Sequence, residues 1–203
     1  LGVAHDEAFC FYYQDNLDRL ARAGAELRFF SPLKDTLPDI DALYFGGGYP
    51  ELYARELEDS NCRGKINNLA SEGMPIYGEC GGLMYFCGSM TTDREYRMCS
   101  ILPARAIMTS KIQALGYVQG TYSANAGSWT GAHVVKGHEF HYSRVECDSD
   151  ARFAIHLTIG RGIADGNDGI REGNVIGAYT HAYFSDAFCR HFVEAAGKFR
   201  KIR

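Results

Sequence analysis

The sequence contains no run of about eighteen apolar residues, which excludes a helix that crosses a bilayer. No charged-then-apolar segment opens it, so nothing reads as a signal peptide. Basic excess is also missing: 21 Lys and Arg stand against 25 Asp and Glu, a net charge of −4. That argues against a nucleic-acid stripe and against electrostatic binding to anionic membrane, so neither is expected as a partner. No CxxC pair occurs, and the cysteine count of seven is odd. Neither a disulfide framework nor a zinc site is expected, no metal residue is assigned, and the reducing cytoplasm is the expected compartment. Nothing matches the GxxxxGK[ST] spacing that a P-loop requires. Internal repeats, low-complexity tracts and clear linkers are likewise missing.

What is present is an ordinary globular composition over 203 residues, 46% hydrophobic and 23% charged, enough for one domain with a full core. The chain opens at Leu1 without a methionine, and a cut inside a longer protein is the expectation. The first half alternates. A short strand at Val3–Ala4 leads to a helix in "FYYQDNLDRLARAG", closed by Gly24 at a left-handed cap. "AELRFF" and "ALYFGGG" read as strands, "PELYAREL" and "GKINNLASEG" as helices, "PIYGE" as a strand and "GGLMYFCG" as a short helix. This order predicts an α/β fold, a parallel sheet covered on both faces.

The second half is richer in strand signals. "ARAIMTS", "GYVQGTYS", "VVKGHEFHYSRVE", "ARFAIHLTI" and "NVIGAYTHAYF" read as strands that extend the sheet antiparallel. "SANAGSWTGAH" and "GRGIADGNDGIREGN" read as turns. A last helix, "SDAFCRHFVEAAG", takes Ser185 as its N-cap and turns Phe188, Phe192, Val193 and Ala196 inward.

Cys80 stands where "PIYGE" meets "GGLMYF", with Gly78, Gly81 and Gly82 around it. A strand that turns sharply into a helix presents the residue at its tip, as in GxSxG elbows, and crowds its neighbours into being small. The helix N-terminus is expected to favour a Cys80 thiolate, and the Gly81 N–H to receive a developing oxyanion. The other reading is a buried cysteine in a packing turn, which the remaining six cysteines are expected to be.

A thiol nucleophile needs a base. Of seven histidines, His181 follows an apolar strand and precedes a helix, so it belongs on the same sheet edge as Cys80. His138 and His141 in "GHEFHYS" are the runners-up. His156 and His191 read as strand and helix residues without a chemical role. The cluster "YFGGGYPE" also ends a strand, and Gly47 and Gly48 are expected to supply the other half of an oxyanion hole. A tight turn without a ligand is the competing reading.

Four ordered motifs, "DEAFCFYYQDNLDRLARAG" through "YFGGGYPELYARELE", "GMPIYGECGGLMYF", "KGHEFHYS" and "GAYTHAYF", together resemble the C-terminal glutaminase domains of the cobyrinic acid a,c-diamide synthase family. The resemblance covers nearly the whole chain. It implies a class I glutamine amidotransferase fold, a flavodoxin-like α/β/α sandwich over residues 1–203 with a mostly parallel sheet. It implies that Cys80 attacks the glutamine side-chain amide, that a thioester forms, and that His181 is the general base and acid. Ammonia would pass to an N-terminal synthetase domain absent from this chain, where ATP and Mg²⁺ activate the a and c carboxylates of a tetrapyrrole. No cofactor is expected here.

Two departures from the broader class stand out. Tyr183 occupies the position of a glutamate that orients the histidine, with Glu79 and Glu139 as candidate substitutes. Met84 occupies the position of a substrate-holding glutamine. Gly46, Tyr49, Met84, Glu139 and His141 are the candidate substrate-binding residues, Glu139 or His141 near the charged end of glutamine. Another cysteine hydrolase or amidotransferase on this architecture, or a binding module that kept the fold, are the alternative functions.

Overall fold

The computed structural model describes residues 1–123, 129–131 and 133–202. The first half runs β1 (Gly2–Ala4), α1 (Gln14–Arg22), β2 (Arg28–Phe30), β3 (Leu43–Phe45), α2 (Ala54–Asp59), α3 (Asn61–Ser71), β4 (Ile76–Glu79) and α4 (Gly81–Phe86). The predicted helix at "PELYAREL" begins as a 3-10 turn, Pro50–Tyr53, before α2. The second half runs β5 (Ser89–Thr91), β6 (Glu95–Arg97), β7 (Ala104–Met108), β8 (Ala114–Tyr122), β9 (Val134–His141), β10 (Ser143–Cys147), β11 (Arg152–Ile159), β12 (Asn167–Glu172), β13 (Val175–Ala178), β14 (His181–Ala182) and α5 (Asp186–Ile202).

The main sheet has the order β14-β9-β8-β11-β12-β13-β4-β3-β1-β2. From β13 to β2 its neighbours are parallel. From β14 to β13 they are antiparallel. The antiparallel extension is therefore as broad as the parallel half. Alternation along the parallel strands sorts two cores. Leu43, Phe45, Ile76 and Val175 face α2, α3 and α4 through Leu57, Ile66 and Phe86. Tyr44, Tyr77 and Ile176 face α1 and α5 through Leu17, Leu20, Phe188 and Phe192. The result is three layers. Removing a ring as deeply buried as Phe188 or Phe192 would cost about 3–5 kcal/mol.

Local signals end the helices as expected. Gly24 follows α1 with φ +102°. Ser185 Oγ accepts the Phe188 N–H at 3.1 Å, so it caps α5.

Three expectations need correction. "VVKGHEFHYSRVE" is two strands in two sheets: β9 joins the main sheet, whereas β10 joins a second sheet of order β10-β7-β5-β6. "GRGIADGNDGIREGN" contains β12, whose Asp168 and Ile170 are buried. Its turn-rich composition hides a strand that enters the core. "NVIGAYTHAYF" breaks at Tyr179–Thr180 into β13 and β14. The predicted turn at 123–133 lies partly outside the described residues.

That last break shapes the molecule. β13 is sixth in the sheet order and β14 is first. In a flat sheet, strands five places apart lie about 24 Å from each other. Three Cα steps, Ala178 to His181, span about 11 Å at most. The sheet must therefore curl, and its antiparallel end folds back over the C-terminal ends of β1, β3, β4 and β13. Among the described residues no helix is long and apolar enough to cross a membrane.

Candidate active site

The curl encloses a cavity of about 240 Å³ at the C-terminal edge of the parallel strands. This is smaller than the several hundred Å³ of a cofactor pocket and suits a small molecule. Cys80 and His181 both line it, with Gly48, Tyr49, Met84 and His141.

Cys80 sits at the tip of β4 with φ 46° and ψ −92°. A non-glycine residue there carries strain on the order of 1–3 kcal/mol, held by the structure on both sides. Its N–H donates to the Ala178 carbonyl at 2.7 Å, and its carbonyl accepts the Met84 N–H at 3.0 Å. Gly82 lets α4 press on β3: a Cβ there would lie 2.7 Å from the Phe45 carbonyl oxygen, whereas the Gly82 N–H donates to the Gly46 carbonyl at 3.2 Å.

The expected thiolate is not the resting state. Burial pushes the Cys80 thiol up to about 12, with the Glu51 and Glu79 carboxyls adding to the rise. The Gly81 N–H, directed at the sulfur, opposes this and loses. α4 has only six residues, and its dipole is outweighed by desolvation. His181 moves the other way: burial, then His138 and His141, lower it to about 3. The pair rests as neutral thiol and neutral imidazole. Besides the Gly81 N–H, the sulfur's polar contact among the described residues is the Phe140 carbonyl at 4.0 Å, and no hydrogen bond joins it to His181.

A count of backbone donors decides the glycine loop. The Gly46 N–H donates to the Tyr12 hydroxyl at 2.8 Å, the Gly47 N–H to the Phe11 carbonyl at 3.2 Å, and the Tyr49 N–H to the Ala8 carbonyl at 3.0 Å. Among the described residues only the Gly48 N–H of these four is given to no carbonyl or side chain. It lies 3.3 Å from where a Cβ on Gly81 would stand. The unspent Gly48 N–H thus lies next to Gly81, whose own N–H is directed at the sulfur. Gly47 is corrected from donor to spacer, because a Cβ on it would overlap the His181 ring. Gly46 lies behind the wall, holding α4 and Tyr12.

His181 is held by its backbone. The buried Asp168 carboxylate accepts the N–H groups of Tyr179 and Thr180, each at 2.9 Å. Glu79 accepts the Ala182 N–H at 3.0 Å and bonds the Tyr44 hydroxyl at 2.9 Å. Asn16 donates to the Ala182 carbonyl and accepts the Phe184 N–H, each at 2.8 Å. Glu79 is itself raised to about 8 by burial, so it is protonated at neutral pH. Among the described residues no carboxylate hydrogen-bonds to the ring. Tyr183 points outward, where its hydroxyl bonds Asp15 and Arg19.

Glu139 is corrected too. It accepts the N–H groups of Arg161 at 2.6 Å and Gly162 at 3.0 Å, on the opposite side of β9 from the cavity-lining His138 and Phe140. His141 does reach the cavity wall; its Nδ1 bonds the Ser143 carbonyl at 2.7 Å, and its ring stacks on Tyr179. Sequence reasoning missed Tyr13, Glu51 and Ser143 in the wall and Asp168 and Asn16 behind it. Glu51 follows the glycine cluster by three residues, a position that signal could have flagged. Among the described residues no group of three or more His, Cys, Asp or Glu is placed to hold a metal ion.

A family model for the CobB/CobQ-like glutamine amidotransferase domain matches residues 1–188. The chain belongs to that family. The domain is 43% identical over 222 aligned positions to the cobyrinate a,c-diamide synthase of Methanosarcina barkeri, covering 100% of this chain and 45% of that protein. It is 44% identical over 204 positions to that of Archaeoglobus fulgidus, covering 98% of this chain and 44% of that protein. The amidotransferase domain therefore spans less than half the length of these relatives. PurLQS from Thermotoga maritima matches it with a TM-score of 0.69 at 15% identity, covering 98% of this chain and 97% of that one. A solved glutamine amidotransferase matches with a TM-score of 0.65 at 16% identity, covering 97% and 98%. The fold is that of the class I glutamine amidotransferases.

Proposed function

We propose that this domain hydrolyses the side-chain amide of glutamine through a Cys80 thioester, with His181 carrying the proton. Thiol and imidazole rest neutral, so proton transfer accompanies attack instead of preceding it. Sγ bonds to the amide carbon as its proton passes to His181. The carbonyl oxygen takes the displaced electron pair and accepts from the Gly48 and Gly81 N–H groups. His181 returns the proton to the leaving nitrogen, and ammonia departs. Water then attacks the thioester, gives its proton to His181, and releases glutamate and the Cys80 thiol. Glu51, a carboxylate of the cavity wall, takes the α-ammonium group of the substrate.

The observation that carries this reading is a strained cysteine facing the Gly81 N–H, with the unspent Gly48 N–H next to it and a neutral histidine in the same cavity. The relatives' names and their greater length support the second half of the proposal. The ammonia serves an ATP- and Mg²⁺-dependent synthetase part of a longer protein, which amidates the a and c carboxylates of a corrin-type tetrapyrrole.

A glutamine analogue carrying an electrophilic diazoketone tests the chemistry. A single adduct on Cys80, prevented by excess glutamine, is expected. An adduct spread over all seven cysteines, or none at all, removes the glutaminase reading. Amidation of the tetrapyrrole is tested separately, with glutamine and ATP supplied to the full-length protein.

A further inference from the structure

If the glutaminase reading holds, His181 must present one nitrogen to the sulfur and then to a leaving group, so its ring plane has to be fixed. Among the described residues no group hydrogen-bonds to either of its nitrogens. The backbone clamps at Tyr179, Thr180, Ala182 and Phe184 place the Cα but leave the ring free to rotate about its two side-chain torsions.

Two contacts remove that freedom. On one side the ring meets the Cα of Gly47, which leaves no room for a Cβ. On another side lies His138, its direct cross-strand partner where β14 pairs with β9. The two imidazoles are stacked, centroids 4.8 Å apart and planes within 10°. Such close parallel rings favour a single relative orientation. His138 is in turn held by the Tyr13 hydroxyl, 2.6 Å from Nδ1. With the phenol donating, the His138 proton sits on Nε2, so the ring is neutral and has a fixed tautomer.

We propose that His138 is a positioning residue for His181, a stacked imidazole that fixes the plane of the proton-carrying ring where other enzymes use a hydrogen-bonded carboxylate. The arrangement requires two neutral rings, since a charged His138 would repel the imidazolium that forms at His181. Burial keeps His138 below the ordinary histidine range. Among the described residues the other titratable groups around the pair are Tyr12 and Tyr13 ahead of α1, Tyr117 opposite His138 on β8, Glu79 and Cys80 at the end of β4, Tyr49 and Glu51 after the glycine loop, and His141 and Tyr142 at the end of β9.

The test follows the rate of Cys80 alkylation by the diazoketone analogue of glutamine against concentration and pH. His138→Ala is expected to lower the limiting rate about ten- to hundred-fold with the half-saturating concentration within about twofold of wild type. It should also move the acid limb of the rate profile to higher pH, because water reaches His181. His138→Phe keeps a flat ring but cannot carry a proton, and it should restore most of the rate. Tyr13→Phe should show a smaller loss of the same kind. Equal, large losses in the Ala and Phe variants would mean that His138 handles a proton itself, and the positioning role is then wrong. Wild-type rates and an unmoved acid limb in His138→Ala also overturn it, while alkylation lost in Cys80→Ser and His181→Ala leaves the glutaminase standing. Failure of wild-type Cys80 to react removes the glutaminase reading and this inference with it. Thermal unfolding of each variant separates lost folding from lost positioning.

Discussion

Glu79 accepts the backbone N–H of Ala182 at 3.0 Å, which ties the last residue of β4 to the residue after His181. The carboxyl before Cys80 thus fixes the strand that bears His181.

This tie has a pH signature. The folded Glu79 keeps its proton up to about pH 8 because of burial, whereas an unfolded glutamate releases it near 4.5. The folded state holds more protons between these values, so its stability falls as pH rises through that window. The loss is on the order of a few kcal/mol. Glu79→Gln keeps the oxygen that accepts the Ala182 N–H and places an uncharged amide against the Tyr44 hydroxyl, but cannot titrate. Urea midpoints at pH 5, 7 and 9 should decline less in the variant than in wild type. Parallel declines would show that Glu79 is ionised when folded. His181 acts with the opposite sign: its folded value of about 3 means that stability is lost as pH falls below about 6.5.

Gly47→Ala forces a methyl into the His181 ring. Overpacking should cost about 1–3 kcal/mol, leaving a folded protein. Displacing the ring should slow glutamine-analogue labelling of Cys80 by about a hundredfold. Normal labelling with a normal thermal midpoint would show that the ring does not depend on the glycine.

Iodoacetamide should discriminate between thiols. At pH 8 a group with a value of about 12 is ionised in about one molecule in ten thousand. Cys10 is exposed, and peptide mapping should find it alkylated first. Cys80 should lag by about a hundredfold or more, yet react readily with the glutamine analogue. Fast iodoacetamide labelling of Cys80 would restore the resting thiolate.

Glu51→Gln removes the carboxylate proposed to meet the α-ammonium group. A charge-assisted hydrogen bond is worth about 1.5–3 kcal/mol, so the half-saturating glutamine concentration should rise about ten- to hundred-fold with little change in limiting rate. An unchanged concentration dependence would place the substrate's amino group elsewhere.

The centre of the parallel half was legible because its strands end in their own punctuation: glycine after Phe45 and the Gly-Glu-Cys-Gly corner after Tyr77. Cys80 and His181 were legible for the same reason, since strand ends are where such folds place chemistry. The second sheet was not. A single residue, Tyr142, separates β9 from β10, and no glycine or proline marks the change of partner. Which glycine offers a free N–H was also invisible, since it depends on acceptors from Phe11, Ala8 and Tyr12, remote in sequence. Glu139 misled because it stands beside His138 in the motif, although the pleat sends neighbours to opposite faces. The cysteine's ionisation was misjudged because enclosure, a tertiary property, outweighs a short helix.

The pairing of Ala178 with Glu79 in the β13–β4 ladder sets the spacing of His181 and Cys80. Four paired positions align the two side chains, and the chain between them is a long excursion that leaves and rejoins the sheet. Insertions and trims at the exposed turns of the excursion leave that alignment intact, provided β9 and the Asp168 of β12 still arrive. A one-residue slip of the ladder would instead invert the strand and bury the imidazole's attachment point on the wrong face. Variation is thus tolerated at those turns and forbidden at the neck.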